Sequence, residues 1–186
     1  HYDIDADTFA AAVAEEVRRG VWVAGGCCGT TPAHIAKLRD ACAGITPAAL
    51  TPNPAVWLSS GSQAVDARSL DLSALAPIAV PGDPDDLLDE VFERQDEEEP
   101  VLRLAFSAES LSPLETVEAI QEVSRLPLWL EEADADSLAD ALRRLNGKAM
   151  VTVPAADPAL LALLRRYGGV AYDPAAGTRT DCKVSS

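Results

Sequence analysis

Hydrophobic and polar positions along the chain fall into one recurring rhythm. A short β-branched or apolar run is followed by a capping residue, often with Pro, and then by apolar positions at helical spacing. Thr31-Pro32, Asp83-Pro84, Ser112-Pro113 and Asp157-Pro158 are helix starts of this kind, because Pro at the first helical position gives up an N–H that has no partner anyway. Ser112 with Glu115 adds a capping box. The first helix is predicted over residues 7–19, with Phe9, Val13 and Val17 on one face and Gly20 as its stop. Val21-Trp22-Val23-Ala24 reads as a buried strand. The helix that starts at Thr31-Pro32 places Ile35, Leu38 and Cys42 on one face, and a Pro-rich connector runs from residue 44 to about 54.

Beyond the connector the rhythm resumes. Strands are predicted at 77–80, 101–106, 126–130, 149–153 and 170–172, and helices at 85–94, 113–124, 137–145 and 158–167. Residues 96–99 form an acidic run, read as a solvated loop, and Asn146-Gly147 closes the helix before it. Strands alternating with amphipathic helices imply an α/β fold of βα units with a mainly parallel sheet. There are too few units for a complete eight-stranded barrel beside another domain, so partial TIM-barrel βα units in two segments are expected. The segments are residues 1–50 and 77–175, joined by a linker at 51–76 and followed by a tail at 176–186.

Composition narrows the function. The 186 residues are 48% hydrophobic and 24% charged, with a formal net charge of −15. This is a core-forming composition whose surface disfavours nucleic acid and anionic membrane. No apolar run is long enough to span a bilayer, and no signal peptide is visible at His1-Tyr2-Asp3-Ile4-Asp5. Four cysteines, two of them adjacent, make a poor disulfide framework and suggest reduced thiols in a cytoplasmic protein. The chain starts without Met and reads as a piece of something longer.

One segment carries chemistry: Gly25-Gly26-Cys27-Cys28-Gly29-Thr30-Thr31-Pro32. It lies where a predicted strand ends and a helix begins, the place where parallel α/β folds keep their sites. Adjacent residues of a regular strand point to opposite faces, so aiming both thiols at one metal needs the backbone freedom that the flanking glycines supply. Zinc suits thiolates, and the N-terminus of the following helix favours them. A Gly-rich turn holding two small buried residues fits the same residues equally well.

The run Gly-Gly-Cys-Cys-Gly-Thr-Thr-Pro-Ala-His-Ile, residues 25–35, resembles the last-strand signature of the homocysteine S-methyltransferase family. The resemblance covers residues 1 to about 50 and implies that Cys27 and Cys28 bind Zn2+, with a third cysteine on an earlier strand of the barrel. Homocysteine would be the methyl acceptor, and the activity would be zinc-dependent methyl transfer in methionine synthesis. The earlier strands would lie in an upstream barrel segment of the same protein, leaving this chain alone incomplete and inactive. Cys42 reads as a core residue, Cys182 as exposed in a polar tail, and His34 as a surface residue of the first helical turn.

The second half carries a weaker resemblance, to the linker and first half of the pterin-binding barrel of bacterial cobalamin-dependent methionine-synthase-like proteins. It rests on Trp57-Leu58-Ser59-Ser60, Leu126-Pro127-Leu128-Trp129-Leu130, Asn146-Gly147-Lys148 and Tyr167-Gly168-Gly169. It implies cobalamin or methyltetrahydrofolate, and a corrinoid domain, in a full-length protein. The strand-end positions that would serve a pterin hold Arg103, Ala105, Glu131 and Thr152 instead of that family's Asp and Asn, which implies a degenerate domain that binds neither. Glu131 and Glu132 are paired carboxylates of the kind used in acid–base work, although their position reads as the solvated start of a helix. Two further function classes stay open: a non-catalytic βα structural or interaction module, and a small metal or redox protein built on the vicinal cysteines.

Overall fold

A computed structural model describes residues 4–49 and 55–182. It is a mixed α/β structure divided into two compact units, His1–Asn53 and Pro54–Ser186.

The first unit is a pair of packed helices, α1 (Ala6–Arg18) and α2 (Pro32–Cys42). Asp5 caps α1, its carboxylate accepting the Asp7 and Thr8 amides at 3.0 and 2.9 Å. Gly20, at φ 116, ends the helix as predicted. The residues that meet at the helix contact are small: Ala10 and Ala14 are buried together with Leu38. Phe9, Val13 and Val17, the face marked by periodicity, are only half-buried.

The predicted strand at residues 21–24 does not form. These residues are irregular and exposed, Trp22 at 76% and Val23 at 88%. The physical reason is the lack of a partner. A strand is stabilised by its ladder and by cross-strand packing, and the described residues of this unit contain no other strand. The predicted connector is irregular from residue 45 to 49, while residues 50–54 lie outside the described part.

The second unit is built on a six-stranded sheet. Its strands are β3 (Ile78–Ala79), β4 (Leu102–Ala105), β5 (Leu128–Glu131), β6 (Met150–Thr152), β7 (Gly169–Asp173) and β8 (Thr178–Cys182), adjacent in that order. The first five are parallel, and β8 pairs antiparallel with β7. Helices α3 (Pro84–Asp96), α4 (Pro113–Val123), α5 (Ala135–Arg144) and α6 (Pro158–Tyr167) connect the parallel strands. All four place apolar side chains in one core with Ile78, Leu102, Leu104, Leu128, Leu130 and Val151. Sequential strand order with every helix on one face is the winding of a βα barrel, here left open.

The opposite face is also covered. The stretch read from sequence as a linker forms a small antiparallel hairpin, β1 (Trp57–Ser59) and β2 (Ala64–Asp66), followed by a 3-10 turn at Ala67–Ser69. Leu58, Ala67, Leu70 and Leu75 from this stretch pack with Trp129, Met150 and Val170 of the sheet into a second core. Each fully buried Leu in such a place contributes about 1.5–3 kcal/mol. Asn146-Gly147 serves the hairpin as well as ending α5. At Gly147, φ is +151 and an added Cβ would run into the Ser59 carbonyl oxygen, just where Ser59 and Lys148 exchange backbone hydrogen bonds of 2.9 and 2.8 Å.

The tail is a second correction. Thr178–Cys182 is β8, and Cys182 is buried in the helix-side core. Alternation places Cys182 inward while Asp181 points the other way and pairs with Lys148. The acidic run is corrected in part: Asp96 belongs to α3, and Glu99 tucks back to Arg94 at 3.4 Å, where burial pushes its carboxyl pKa up.

Candidate functional site

The Cys27–Cys28 segment is a tight turn. The Thr30 amide donates to the Cys27 carbonyl at 3.0 Å. Gly29, third of the four residues, has φ +85, the left-handed value that position takes in a type II turn and that glycine adopts without strain. Gly26 is constrained by space: a Cβ there would run into the Thr30 side chain. The glycines therefore set the turn, and both thiols are free and exposed on it. The alternative of two buried small residues is not what the structure shows. Thr31 caps α2 directly afterwards, so the turn runs straight into the start of a helix.

As a donor set, this turn offers two soft thiolate ligands on consecutive residues, which fits half of a tetrahedral zinc site. Among the described residues no group of three His, Cys, Asp or Glu side chains converges to complete one. Cys42 is half-buried and lines a cavity of about 260 Å³ with Val17, Trp22, Ile35 and Leu38. It belongs to neither of the two buried core clusters, so the core position read from its helical spacing is not what the structure shows. His34 is tied into hydrogen bonds at both ring nitrogens.

The second candidate lies on the sheet face away from the helices. Alternation along β4, β5 and β6 puts Arg103, Trp129, Glu131, Met150 and Thr152 on that face. Glu131 is not at a solvated helix start; its side chain is 12% exposed and pairs with Arg103 at 2.7 Å. Two guanidinium nitrogens donate to its two oxygens, at 2.7 and 3.3 Å, and a third donates to the Leu75 carbonyl at 2.9 Å. Thr152 donates to Glu131 at 3.0 Å and accepts from the Trp129 indole N–H at 2.8 Å. The guanidinium lies 4.2 Å from the Trp129 ring centroid, and Tyr172 meets that ring edge-on. Glu132, by contrast, takes φ +62 and turns the chain out of the sheet toward α5.

Sequence reasoning named Arg103, Glu131 and Thr152 but missed that they bond to one another. It also missed Trp129 and Leu75, which complete the network. The available signal was alternation on three neighbouring strands, which gives these residues a common face.

Among the described residues, no helix is long and apolar enough to cross a membrane. The segment that holds α1, the cysteine turn and α2, residues 1–42, matches the family model for homocysteine S-methyltransferase.

Proposed function

We propose that the first unit is the closing βα portion of a zinc-dependent barrel that transfers a methyl group to the homocysteine thiol. Cys27 and Cys28 would supply two of the metal's ligands, and a third would come from a preceding strand of the same barrel. The observation that carries this reading is the state of residues 21–24. An apolar, β-branched stretch is exposed and joins no strand among the described residues, and it leads straight into a turn that presents two thiols. Such a stretch suits a slot between two strands, which would bury Trp22 and Val23 and bring the thiols to the C-terminal end of a barrel, where such enzymes hold their sites.

Zinc bound there would favour the ionised, nucleophilic form of a thiol substrate. The chain's own residues would do the rest. Gly26 and Gly29 shape the turn that presents the two sulfurs. With two thiolates and no pocket walls, this chain alone cannot hold a thiol against a methyl donor, so it would be inactive in isolation.

The second unit would be a scaffold. The groups of its barrel-interior face are bonded to each other and covered by residues 56–75. A pterin ring needs unspent donors and acceptors there, so the unit would bind neither methyltetrahydrofolate nor cobalamin.

The test is methionine formation by the protein produced with its upstream sequence, assayed with betaine, methylmethionine, and methyltetrahydrofolate with cobalamin in turn. Activity with one donor, abolished in Cys27→Ser, is expected. Equal activity in the wild type and Cys27→Ser would refute the reading.

A further inference from the structure

His34 occupies the third helical position after the Thr31 cap. Its Nδ1 accepts the Thr31 amide at 3.3 Å and lies 2.8 Å from the Thr31 hydroxyl oxygen. An acceptor of an N–H carries the lone pair, so the ring proton is on Nε2. Nε2 in turn donates to the Ile4 carbonyl at 3.0 Å, across thirty positions of sequence. Phe9 meets the ring edge-on at 5.6 Å. One neutral tautomer thus satisfies both contacts and joins the start of α2 to the residue before the α1 cap. An acceptor alone, such as Glu or Gln, is what a capping box ordinarily has at this position. The second nitrogen does something a cap does not require.

We propose that His34 is a positioning residue for the cysteine turn: a strut that fixes the start of α2, and with it the Cys27–Thr30 turn, against the start of α1. The proposal rests on the reading of Cys27 and Cys28 as metal ligands for its functional consequence. The strut itself does not depend on that reading. Outer contacts of this kind orient ligand-bearing segments, and their loss costs about tenfold in metal affinity or more.

Glu and Gln at position 34 separate cap from strut. They have the same shape and both offer an oxygen to Thr31. Only Gln carries an N–H for the Ile4 carbonyl. The experiment uses the 186-residue chain and its His34→Glu and His34→Gln variants. Far-UV circular dichroism checks helix content, amide hydrogen exchange follows residues 27–31, and cobalt(II) titration follows the thiolate-to-cobalt absorption. His34→Glu is expected to keep its helices, exchange about tenfold faster in the turn and bind cobalt about tenfold more weakly. The added negative charge would by itself favour the cation, so electrostatics does not account for such a loss. His34→Gln is expected to restore both properties toward wild type. If His34→Glu matches wild type, or if the two variants behave alike, His34 is no more than a cap and the proposal falls. If the wild-type chain shows no cobalt–thiolate absorption, the metal reading fails, and exchange at residues 27–31 still decides for or against the strut.

Discussion

The two units use the same building pattern and end in opposite conditions. In the second, the sheet is covered on both faces, and Arg103, Trp129, Glu131 and Thr152 on one of them are joined by hydrogen bonds. In the first, the buried apolar side chains are Ala10, Ala14 and Leu38, while Trp22 and Val23 face water. Among its described residues the unit with free thiols holds no strand, while the unit with the sheet has its Glu131 carboxylate spent on internal bonds.

Two tryptophans make the contrast measurable. Trp129 is 1% exposed, and Trp22 is 76% exposed. Trp129→Ala should destabilise the second unit by about 3–5 kcal/mol in urea unfolding, through lost packing and a broken indole hydrogen bond. Trp22→Ala should change stability by no more than about 0.5 kcal/mol. A large loss from Trp22→Ala would mean that residues 21–24 are already packed, and the comparison would collapse.

The next effect in size comes from the Arg103–Glu131 pair. Arg103→Met leaves a carboxylate largely out of water without its partner, which should cost about 2 kcal/mol, less than a fully buried pair because both groups keep some solvent contact. Adding Glu131→Leu should recover much of that loss. A double-mutant cycle with no coupling would show that the network contributes nothing to the fold.

The smallest effect is a pH dependence in the hairpin. Hydrogen bonds from the Arg68 side chain, aided by the Arg68 and Val56 amides, hold the Asp66 carboxyl down to about 2, from the ordinary 3.8. A depressed acid contributes stability above its unfolded value and loses it as pH falls through its folded value. The hairpin's contribution should therefore weaken between about pH 4 and pH 2, and Asp66→Asn should flatten that part of the profile. An unchanged profile would show that Asp66 does not tether the hairpin.

Much of the second unit was legible in the sequence because its signals are local: Pro-marked helix starts, helical periodicity, and short apolar strands between them. What escaped was what one strand does to another. Cys182 looked exposed because Thr180, Asp181 and Lys183 are polar, but pairing with β7 turns its alternate position inward. Residues 51–76 read as a linker because Trp57-Leu58-Ser59-Ser60 resembles one, yet Leu58, Leu70 and Leu75 find a sheet face to cover. In the first unit the error had the opposite sign. Val21-Trp22-Val23-Ala24 has strand character, but strand character cannot supply a neighbour. The cysteine turn was legible because glycine at φ +85 and a Cβ-free Gly26 are demands that a sequence states directly. The network around Glu131 was legible only as separate residues, since its bonds depend on strand register.

The zinc site proposed at the Cys27–Cys28 turn depends on metal binding by those two thiols. Zinc titration of the 186-residue chain, followed by calorimetry, addresses it most directly, alongside the Cys27→Ser/Cys28→Ser double variant. One weak, saturable zinc-binding event is expected in the wild type and none in the double variant, since two thiolates without a third ligand hold the metal loosely. Identical titrations of the two proteins would contradict it.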